Sequence, residues 1–332
     1  MVKLSAIQLS SAADVATNLS KIAKILTMIT DIQPVVEQGS KQTTDLEPEE
    51  IHHLIVLPEC CLYFGGKESD QLALAQRSAQ ISDSSSDKIS DQTADQKIAK
   101  DSVRGLEQAS VHSINQENDL CLALSALAKK FKVYLVAGTI PILAPSAAKF
   151  TNSSCVFDPS GKLIAQYDKI HLFDVTVSDS TNNYYESRYT QAGKEISVVN
   201  TGFANIGLSV CFDLRFPNLF QQLTKAGANI ITVPSAFTKI TGQAHWQTLL
   251  QARAIENQVY IIAAGQEGVH ENGRETWGHS MIINPWGDIE QVIETGEGYI
   301  SVDYQAETVT RIRQSMPLIT PLNANLNTPL NT

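Results

Sequence analysis

The sequence has no cluster of basic residues, no paired cysteine motif and no long apolar run. Its 25 Lys and Arg residues are outnumbered by 35 Asp and Glu residues, which gives a formal net charge of -10. Nucleic-acid surfaces need clustered Lys and Arg to neutralise phosphates, so this balance argues against a nucleic-acid partner. Because no apolar stretch reaches membrane-spanning length, we also expect no association with a membrane.

The cysteines show neither the pairing of a disulfide framework nor the spacing of a zinc site. They are five in number: Cys60, Cys61, Cys121, Cys155 and Cys211. An odd, unpaired set is typical of thiols in a reducing compartment, so we expect no metal and a cytoplasmic location. The N-terminal stretch has no continuous apolar segment and no small-residue cleavage site, so we expect no secretion signal.

What the sequence does contain is a series of short apolar strands alternating with amphipathic helices. "HLIVLPE", "VYLVAG", "NIITVP" and "VYIIAAG" read as buried strands, and Val15 to Ile29 has helical spacing. There is no repeat period, and 332 residues suffice for one large unit. The pattern predicts an α/β fold in which helices cover sheets in layers.

One segment interrupts this pattern. Residues 67–118 are rich in Ser, Asp and Gln and have only scattered apolar residues. Such a composition is typical of a polar, flexible insertion, and we expect it to be dispensable for chemistry. We therefore predict one domain over residues 1–317, with this insertion, and a short tail over residues 318–332.

Cys211 lies in "LSVCFDLRFP", where an apolar strand gives way to polar and helix-starting residues. Free cysteines commonly just fill space in a core, which is how we interpret Cys121 and Cys155. The junction of a strand and a helix is different, because backbone N–H groups and the helix dipole favour a thiolate there. Cys211 is therefore a candidate nucleophile.

A cysteine nucleophile needs a base and a group that stabilises the oxyanion. Glu59 directly follows the strand "LIVLP", at an end where open α/β sheets tend to place their sites. Lys169 lies in the strand-like "YDKIHLF". Single charged residues are more often merely solvated, so position alone does not make either residue catalytic.

Together, these residues carry a resemblance. "LPE" at 57–59, "DKIHLFD" at 168–174 and "CFDLRFP" at 211–217 are similar, in this order, to the three motifs of the nitrilase superfamily, the carbon-nitrogen hydrolases. The similarity extends over nearly the whole chain outside the insertion and the tail. It implies a four-layer αββα sandwich, usually dimerised through its helices, that works without a metal or an organic cofactor.

The resemblance also implies a role for each residue of a Glu-Lys-Cys triad. Glu59 would be the general base, Lys169 the cationic stabiliser of the tetrahedral intermediate and Cys211 the nucleophile. The backbone N–H of Phe212 would complete the oxyanion hole. The implied reaction is acyl transfer from an amide through a thioester, followed by hydrolysis.

The chain departs from the superfamily at one position. Many members have a second glutamate after the strand that corresponds to "GTIP", and here that position is Ile142. Either this branch dispenses with that acid, or another one, such as Glu186 in "YYES", takes its place at the substrate site.

A finer resemblance concerns the substrate. "PSAFTKITGQAHW" and "GHSMIINPWG" resemble the Nit branch and, within it, the deaminated glutathione amidases, which implies cleavage of that amide to 2-oxoglutarate and cysteinylglycine. Arg215 suits a keto-acid carboxylate, although an ion pair with Asp213 or another acid is equally open. Thr241, His245 and Trp246 lie where they could line the substrate pocket.

Other functions stay open at this point. An ω-amidase acting on 2-oxoglutaramate or other short dicarboxylate monoamides, a true nitrilase and a carbamoyl hydrolase would all use the same triad. A Cys-His amidotransferase would need a histidine aimed at Cys211. A catalytically inactive binding protein would keep the fold without the chemistry.

Overall fold

The computed structural model describes residues 1–30, 51–86, 119–179 and 183–318. The strands are, in chain order, β1 (Val2–Gln8), β2 (His52–Val56), β3 (Tyr134–Val136), β4 (Ile140–Leu143), β5 (Phe150–Phe157), β6 (Leu163–Asp168), β7 (Asp174–Thr176), β8 (Asn183–Tyr185), β9 (Val198–Asn200), β10 (Asn205–Leu208), β11 (Ile230–Thr232), β12 (Tyr260–Ala263), β13 (Glu267–Val269), β14 (Glu275–Trp277), β15 (Ser280–Ile283), β16 (Ile289–Ile293) and β17 (Gly298–Asp303). The helices are α1 (Val15–Thr30), α2 (Glu68–Ser86), α3 (Asp119–Phe131), α4 (Pro217–Lys225), α5 (Lys239–Asn257) and α6 (Ala306–Ser315), with short 3-10 helices at Glu186–Arg188 and Cys211–Arg215.

Two sheets form the centre of the molecule. The first has seven strands in the order β17-β1-β2-β3-β5-β4, with β6 also paired to β5. The second has six strands in the order β16-β15-β12-β11-β10-β9. Two separate hairpins, β7-β8 and β13-β14, lie outside these sheets.

The apolar alternation of the strands produces the layers. On β2 and just after it, Leu54 and Val56 belong to the core between the two sheets, whereas Ile55 and Leu57 belong to a second core with α1 and α3. A strand that is apolar on both faces must be covered on both faces. Helices α4 and α5 cover the second sheet in the same way, which confirms the predicted four-layer αββα sandwich.

The strand order brings the ends of central strands together. β1, β2 and β3 are mutually parallel in the first sheet, as are β10, β11 and β12 in the second. Glu59 comes shortly after β2, Cys211 after β10 and Ala236 after β11. The carboxyl ends of parallel strands share one edge of a sheet, so these residues meet at one end of the sandwich.

The prediction for residues 67–118 is wrong over its first part. Residues 68–86 form α2, which packs against β4 and α3 and buries Leu74 and Ala75. Leu74, Ala75 and Ser78 are buried whereas Ala73 is exposed, so a few buried side chains are enough to dock a mostly polar helix. The rest of the segment, 87–118, and the tail from residue 319 lie outside the described residues.

No helix in the described part of the chain combines the length and the apolar character that crossing a membrane requires. The longest described helices, α2 and α5, each have 19 residues.

Gly138 fixes the loop that carries Glu59. Its φ is +50°, and a Cβ at this position would overlap the carbonyl oxygen of Pro58, the residue that precedes Glu59. We expect Gly138→Ala to lower the free energy of unfolding by about 3 kcal/mol and to impair catalysis, because backbone rather than a side chain must move. Thermal unfolding and amide hydrolysis of the purified variant measure both effects.

Gly202→Ala is the matched control. Its φ of +88° is also left-handed, but nothing lies within 4 Å of the added Cβ. We expect a loss of about 1 kcal/mol from backbone strain alone and unchanged hydrolysis. Equal effects of the two substitutions would contradict the proposed contact with Pro58.

Candidate active site

Glu59 is buried, and both of its carboxylate oxygens are bonded. Oε1 accepts hydrogen bonds from Lys169 Nζ at 2.8 Å and from Asn152 Nδ2 at 3.0 Å. Oε2 accepts one from the backbone N–H of Ala236 at 2.9 Å. Burial alone would raise the pKa of this carboxyl, but the Lys169 charge and these hydrogen bonds hold it below its ordinary value. Glu59 is therefore an ionised carboxylate at neutral pH.

Lys169 comes directly after β6, and its side chain is only 2% exposed. Besides its bond to Glu59, Nζ donates to Glu186 Oε2 at 2.8 Å and to Glu186 Oε1 at 3.1 Å. Burial alone would lower the pKa of Lys169, but Glu186, Glu59 and Cys211 hold it well above its ordinary value. The ammonium is thus a permanent charge held between two carboxylates.

Cys211 begins the short 3-10 helix with a φ of +50°, in the left-handed region that non-glycine residues rarely adopt. Its N–H donates to Pro234 O at 2.9 Å, which ties the end of β10 to the loop after β11. The side chain is 7% exposed and lines the same cavity as Glu59 and Lys169. The three residues singled out from the sequence therefore lie together.

The prediction that Cys211 is a thiolate is wrong for the resting site. Burial raises the pKa of the Cys211 thiol well above its ordinary value, and the Glu59 carboxylate raises it further. Lys169 lowers the pKa, but its charge is shared with two carboxylates and does not prevail. The resting pair is a neutral thiol beside a carboxylate that can accept its proton.

Asp213 holds the short helix in place. Its carboxylate accepts hydrogen bonds from Tyr167 Oη at 2.7 Å and from the backbone N–H groups of Val210 and His171, and it lies 2.6 Å from His171 Nδ1. Because Asp213 is fully buried in this network, the ion pair with Arg215 that the sequence left open is absent from the described residues. His171 points to Asp213, which removes it as a partner for Cys211.

Glu186 completes the charged cluster from a 3-10 helix that follows β8. Its Oε2 accepts the N–H of Phe173 at 2.7 Å, so its position is fixed independently of Lys169. Ile142 is part of β4, where it pairs with Thr151. The structure therefore has an acid at this place although Ile142 replaces the family's second glutamate: Glu186 contacts Lys169 instead.

Asn152 is a site residue that the sequence reasoning missed. From β5, its Nδ2 donates to Glu59 Oε1 at 3.0 Å and to Glu186 Oε1 at 3.2 Å, so it bridges the two carboxylates. A single Asn in "FTNSSCVF" has no pattern around it that predicts a role. Only the pairing of β5 with β4 and β6 places it beside Glu59.

The cluster lines a cavity with mostly apolar walls. Of the predicted substrate residues, Glu186, Phe212 and Thr241 line it. The wall also contains residues that the sequence did not indicate: Cys60, Phe64, Glu68, Gln71, Phe150, Phe173, Tyr184, Thr190, Phe237, Thr238 and Arg274. Glu68 and Gln71 come from α2, so the segment expected to be dispensable contributes to the wall.

Arg215, His245 and Trp246 lie outside this wall. Arg215 packs over the rings of Phe212 and Phe237, and its Nη1 is 3.2 Å from Nδ1 of the exposed His245. Trp246 is buried and donates its indole N–H to His279 O at 2.8 Å. The expectation that His245 and Trp246 line the pocket is wrong, because His245 turns to Arg215 and solvent and Trp246 turns to His279.

No group of His, Cys, Asp and Glu in the described part of the chain is arranged to hold a metal ion. All five cysteines are free thiols.

The chain is similar in sequence to known proteins. The family model described as carbon-nitrogen hydrolase matches residues 3–314. A deaminated glutathione amidase of Yersinia enterocolitica is 43% identical over 211 residues, which are 63% of this chain and 74% of that protein. An omega-amidase of Homo sapiens is 36% identical over 203 residues, 61% of this chain and 72% of that protein.

The fold has solved counterparts as well. The crystal structure of Saccharomyces cerevisiae Nit3, described as a member of branch 10 of the nitrilase superfamily, matches with a TM-score of 0.72 at 26% identity and covers 96% of this chain and 95% of that one. Since the family model spans both sheets and every residue of the charged cluster, the chain belongs to the carbon-nitrogen hydrolase family.

Proposed function

We propose that the protein hydrolyses a linear amide with Cys211 as nucleophile, Glu59 as general base and Lys169 as the charge that stabilises the intermediate. The observation that carries this proposal is the ionised Glu59, bonded to Lys169 and set beside the neutral thiol of Cys211 in one cavity. A base adjacent to a protonated nucleophile is the arrangement that acyl transfer requires.

In the first half-reaction, Glu59 takes the thiol proton while the sulfur attacks the amide carbonyl carbon. The negative charge that develops on the carbonyl oxygen is stabilised by Lys169 and by the N–H of Phe212, which lies in the first turn of its helix and has no acceptor within that helix. Glu59 then gives the proton to the amide nitrogen, the C–N bond breaks, and an acyl thioester and a free amine result.

In the second half-reaction, water attacks the thioester and Glu59 accepts one of its protons. The C–S bond then breaks, Glu59 returns that proton to the sulfur, and the carboxylic acid product and the thiol result. Glu186 positions Lys169 and Asn152 positions Glu59 throughout, because a hydrogen bond joins each pair. This assigns to Glu186 a supporting role beside the lysine.

For the substrate we propose deaminated glutathione, which yields 2-oxoglutarate and cysteinylglycine. The support is the identity to proteins named for that activity and the "TGQAHW" segment, whose Thr241 lines the cavity. An ω-amidase acting on 2-oxoglutaramate is the second candidate, favoured by the human relative. A binding protein without catalysis has no use for a base beside a buried thiol.

The first test compares 2-oxoglutarate release from deaminated glutathione and from 2-oxoglutaramate. We expect the wild type to prefer the peptide, Cys211→Ala to abolish turnover of both substrates, and Glu59→Gln to reduce kcat by about 10²- to 10⁴-fold, the usual contribution of a general base. Cys121→Ala is the matched control, since its thiol is buried in the core beside α1, and it should keep full activity.

Preference for 2-oxoglutaramate would replace the substrate but keep the mechanism. Activity on both substrates in Cys211→Ala would refute the mechanism itself.

The second test concerns the thiol. Because the Glu59 charge raises the pKa of Cys211 and Lys169 lowers it, we expect Glu59→Gln to move the thiolate titration to lower pH and Lys169→Met to move it to higher pH. The ultraviolet absorbance of the thiolate against pH, with Cys211→Ala subtracted, measures this. A Glu59→Gln titration that stays in place or moves to higher pH would contradict the proposed adjacency.

We also propose a homodimer or higher homo-oligomer in the cytoplasm. Large apolar side chains are exposed on α5, at Ile240 and Ile255, and on the turn after β15, at Trp286. Such surfaces are common where protein copies pack together. We expect light scattering to give a multiple of the 36.2 kDa chain mass and Trp286→Glu to lower it. A monomeric wild type would refute this proposal.

A further inference from the structure

Arg274 places an unpaired guanidinium in the wall of the active-site cavity. It follows the turn between β13 and β14, and the rings of Phe64 and Tyr184 each lie 4.9 Å from its guanidinium carbon. Its Nε is shielded from solvent and has no hydrogen-bond partner among the described residues. Two aromatic rings therefore hold a planar cation whose donors are available to a ligand.

Arg274, unlike Lys169, has no carboxylate partner among the described residues that would neutralise its charge. Lys169 is neutralised by two carboxylates within 2.8 Å, whereas no carboxylate of the described residues lies within ion-pair distance of Arg274. Glu68 is near enough to feel the guanidinium electrostatically but forms no ion pair with it. A half-buried arginine without an anion is suited to bind one from the substrate.

The cavity continues past Arg274. A neighbouring groove shares Phe64, Glu68, Gln71, Tyr184 and Arg274 with the active-site wall. Beyond them it is lined by residues that the active-site cavity does not touch: Tyr63, Gly65, Gly66, Lys67, Asn183 and Asn272. Arg274 therefore stands where a substrate longer than a simple monoamide would leave the catalytic cavity.

From this geometry we propose that Arg274 binds the terminal carboxylate on the leaving-group side of the substrate, and so selects peptide amides over short monoamides. The inference rests on the proposed function. Deaminated glutathione has a carboxylate at each end of the molecule, with the scissile amide between them. 2-Oxoglutaramate has only the carboxylate of the keto-acid end, so the second carboxylate is what tells the two substrates apart.

The other arginine near the nucleophile, Arg215, lies outside the cavity wall. Arg215 packs on Phe212, the residue next to the nucleophile, and on Phe237, and it interacts electrostatically with Cys211. Arg274 packs on Phe64 and Tyr184, which belong to the part of the wall shared with the outer groove. Of the two guanidinium groups, only that of Arg274 belongs to the cavity wall, on the side that opens to the groove, where the leaving group of a peptide amide would extend.

The test measures kcat/KM for both substrates with Arg274→Gln. A charge-assisted hydrogen bond is worth about 10- to 100-fold in binding, so we expect a loss of that size with deaminated glutathione, mainly through KM, and less than about a threefold change with 2-oxoglutaramate. Product inhibition gives a second readout. Inhibition by cysteinylglycine should weaken in the variant, while inhibition by 2-oxoglutarate should not.

Arg311→Gln is the matched control, because it removes an exposed arginine from α6 that is absent from the cavity wall, and both activities should persist. If Arg274→Gln does not fold, Arg274→Lys is the second variant, because it keeps the positive charge but loses the bidentate guanidinium. It should still lose more activity on deaminated glutathione than on 2-oxoglutaramate. Equal losses on both substrates, or no loss on either, would overturn the inference.

A wild type inactive on deaminated glutathione would instead overturn the proposed function before any variant is made.

Discussion

The buried ammonium of Lys169 lies between the carboxylates of Glu59 and Glu186, and the site depends on this cluster. Removing charges from water costs several kcal/mol per ion unless other charges and hydrogen bonds replace the lost hydration. Here Asn152 bridges the two carboxylates, and the N–H groups of Ala236 and Phe173 occupy their remaining oxygens. The cluster is stable because every one of its charged groups is bonded.

The same cluster couples the site to the whole fold. Its members come from the ends of strands in the first sheet, from a short helix after β8 and, through Ala236, from the second sheet. The bond from Ala236 to Glu59 crosses from one sheet to the other. Neither sheet alone can complete the site, so the sandwich must assemble before the carboxylate, the ammonium and the thiol are correctly placed.

The charge balance also explains why the thiol needs a base. Two carboxylates and one ammonium leave the cluster with a net negative charge, which disfavours a thiolate beside it. The helix-dipole argument from the sequence fails because the five-residue 3-10 helix that begins at Cys211 is short and the thiol is buried. The nucleophile becomes anionic only as its proton moves to Glu59, so reactivity is confined to the moment of attack.

The sequence by itself determined the class of fold, the three residues Glu59, Lys169 and Cys211, and the family to which they point. Apolar alternation and motifs are local properties of the sequence, so they can be recognised without the tertiary structure. The sequence did not determine the helix over the polar residues 68–86, since a few buried side chains are enough to dock a helix whose composition resembles a linker.

Only the tertiary structure decided which other side chains reach the site. Asn152 and Arg274 belong to no motif, and a strand pairing and a hairpin bring them to the cavity. Arg215 and His245 fall outside the wall although they stand near the motifs, because direction along a helix counts as much as distance along the chain. Side-chain neighbours separated by a hundred residues are set by packing between elements, which no local pattern records.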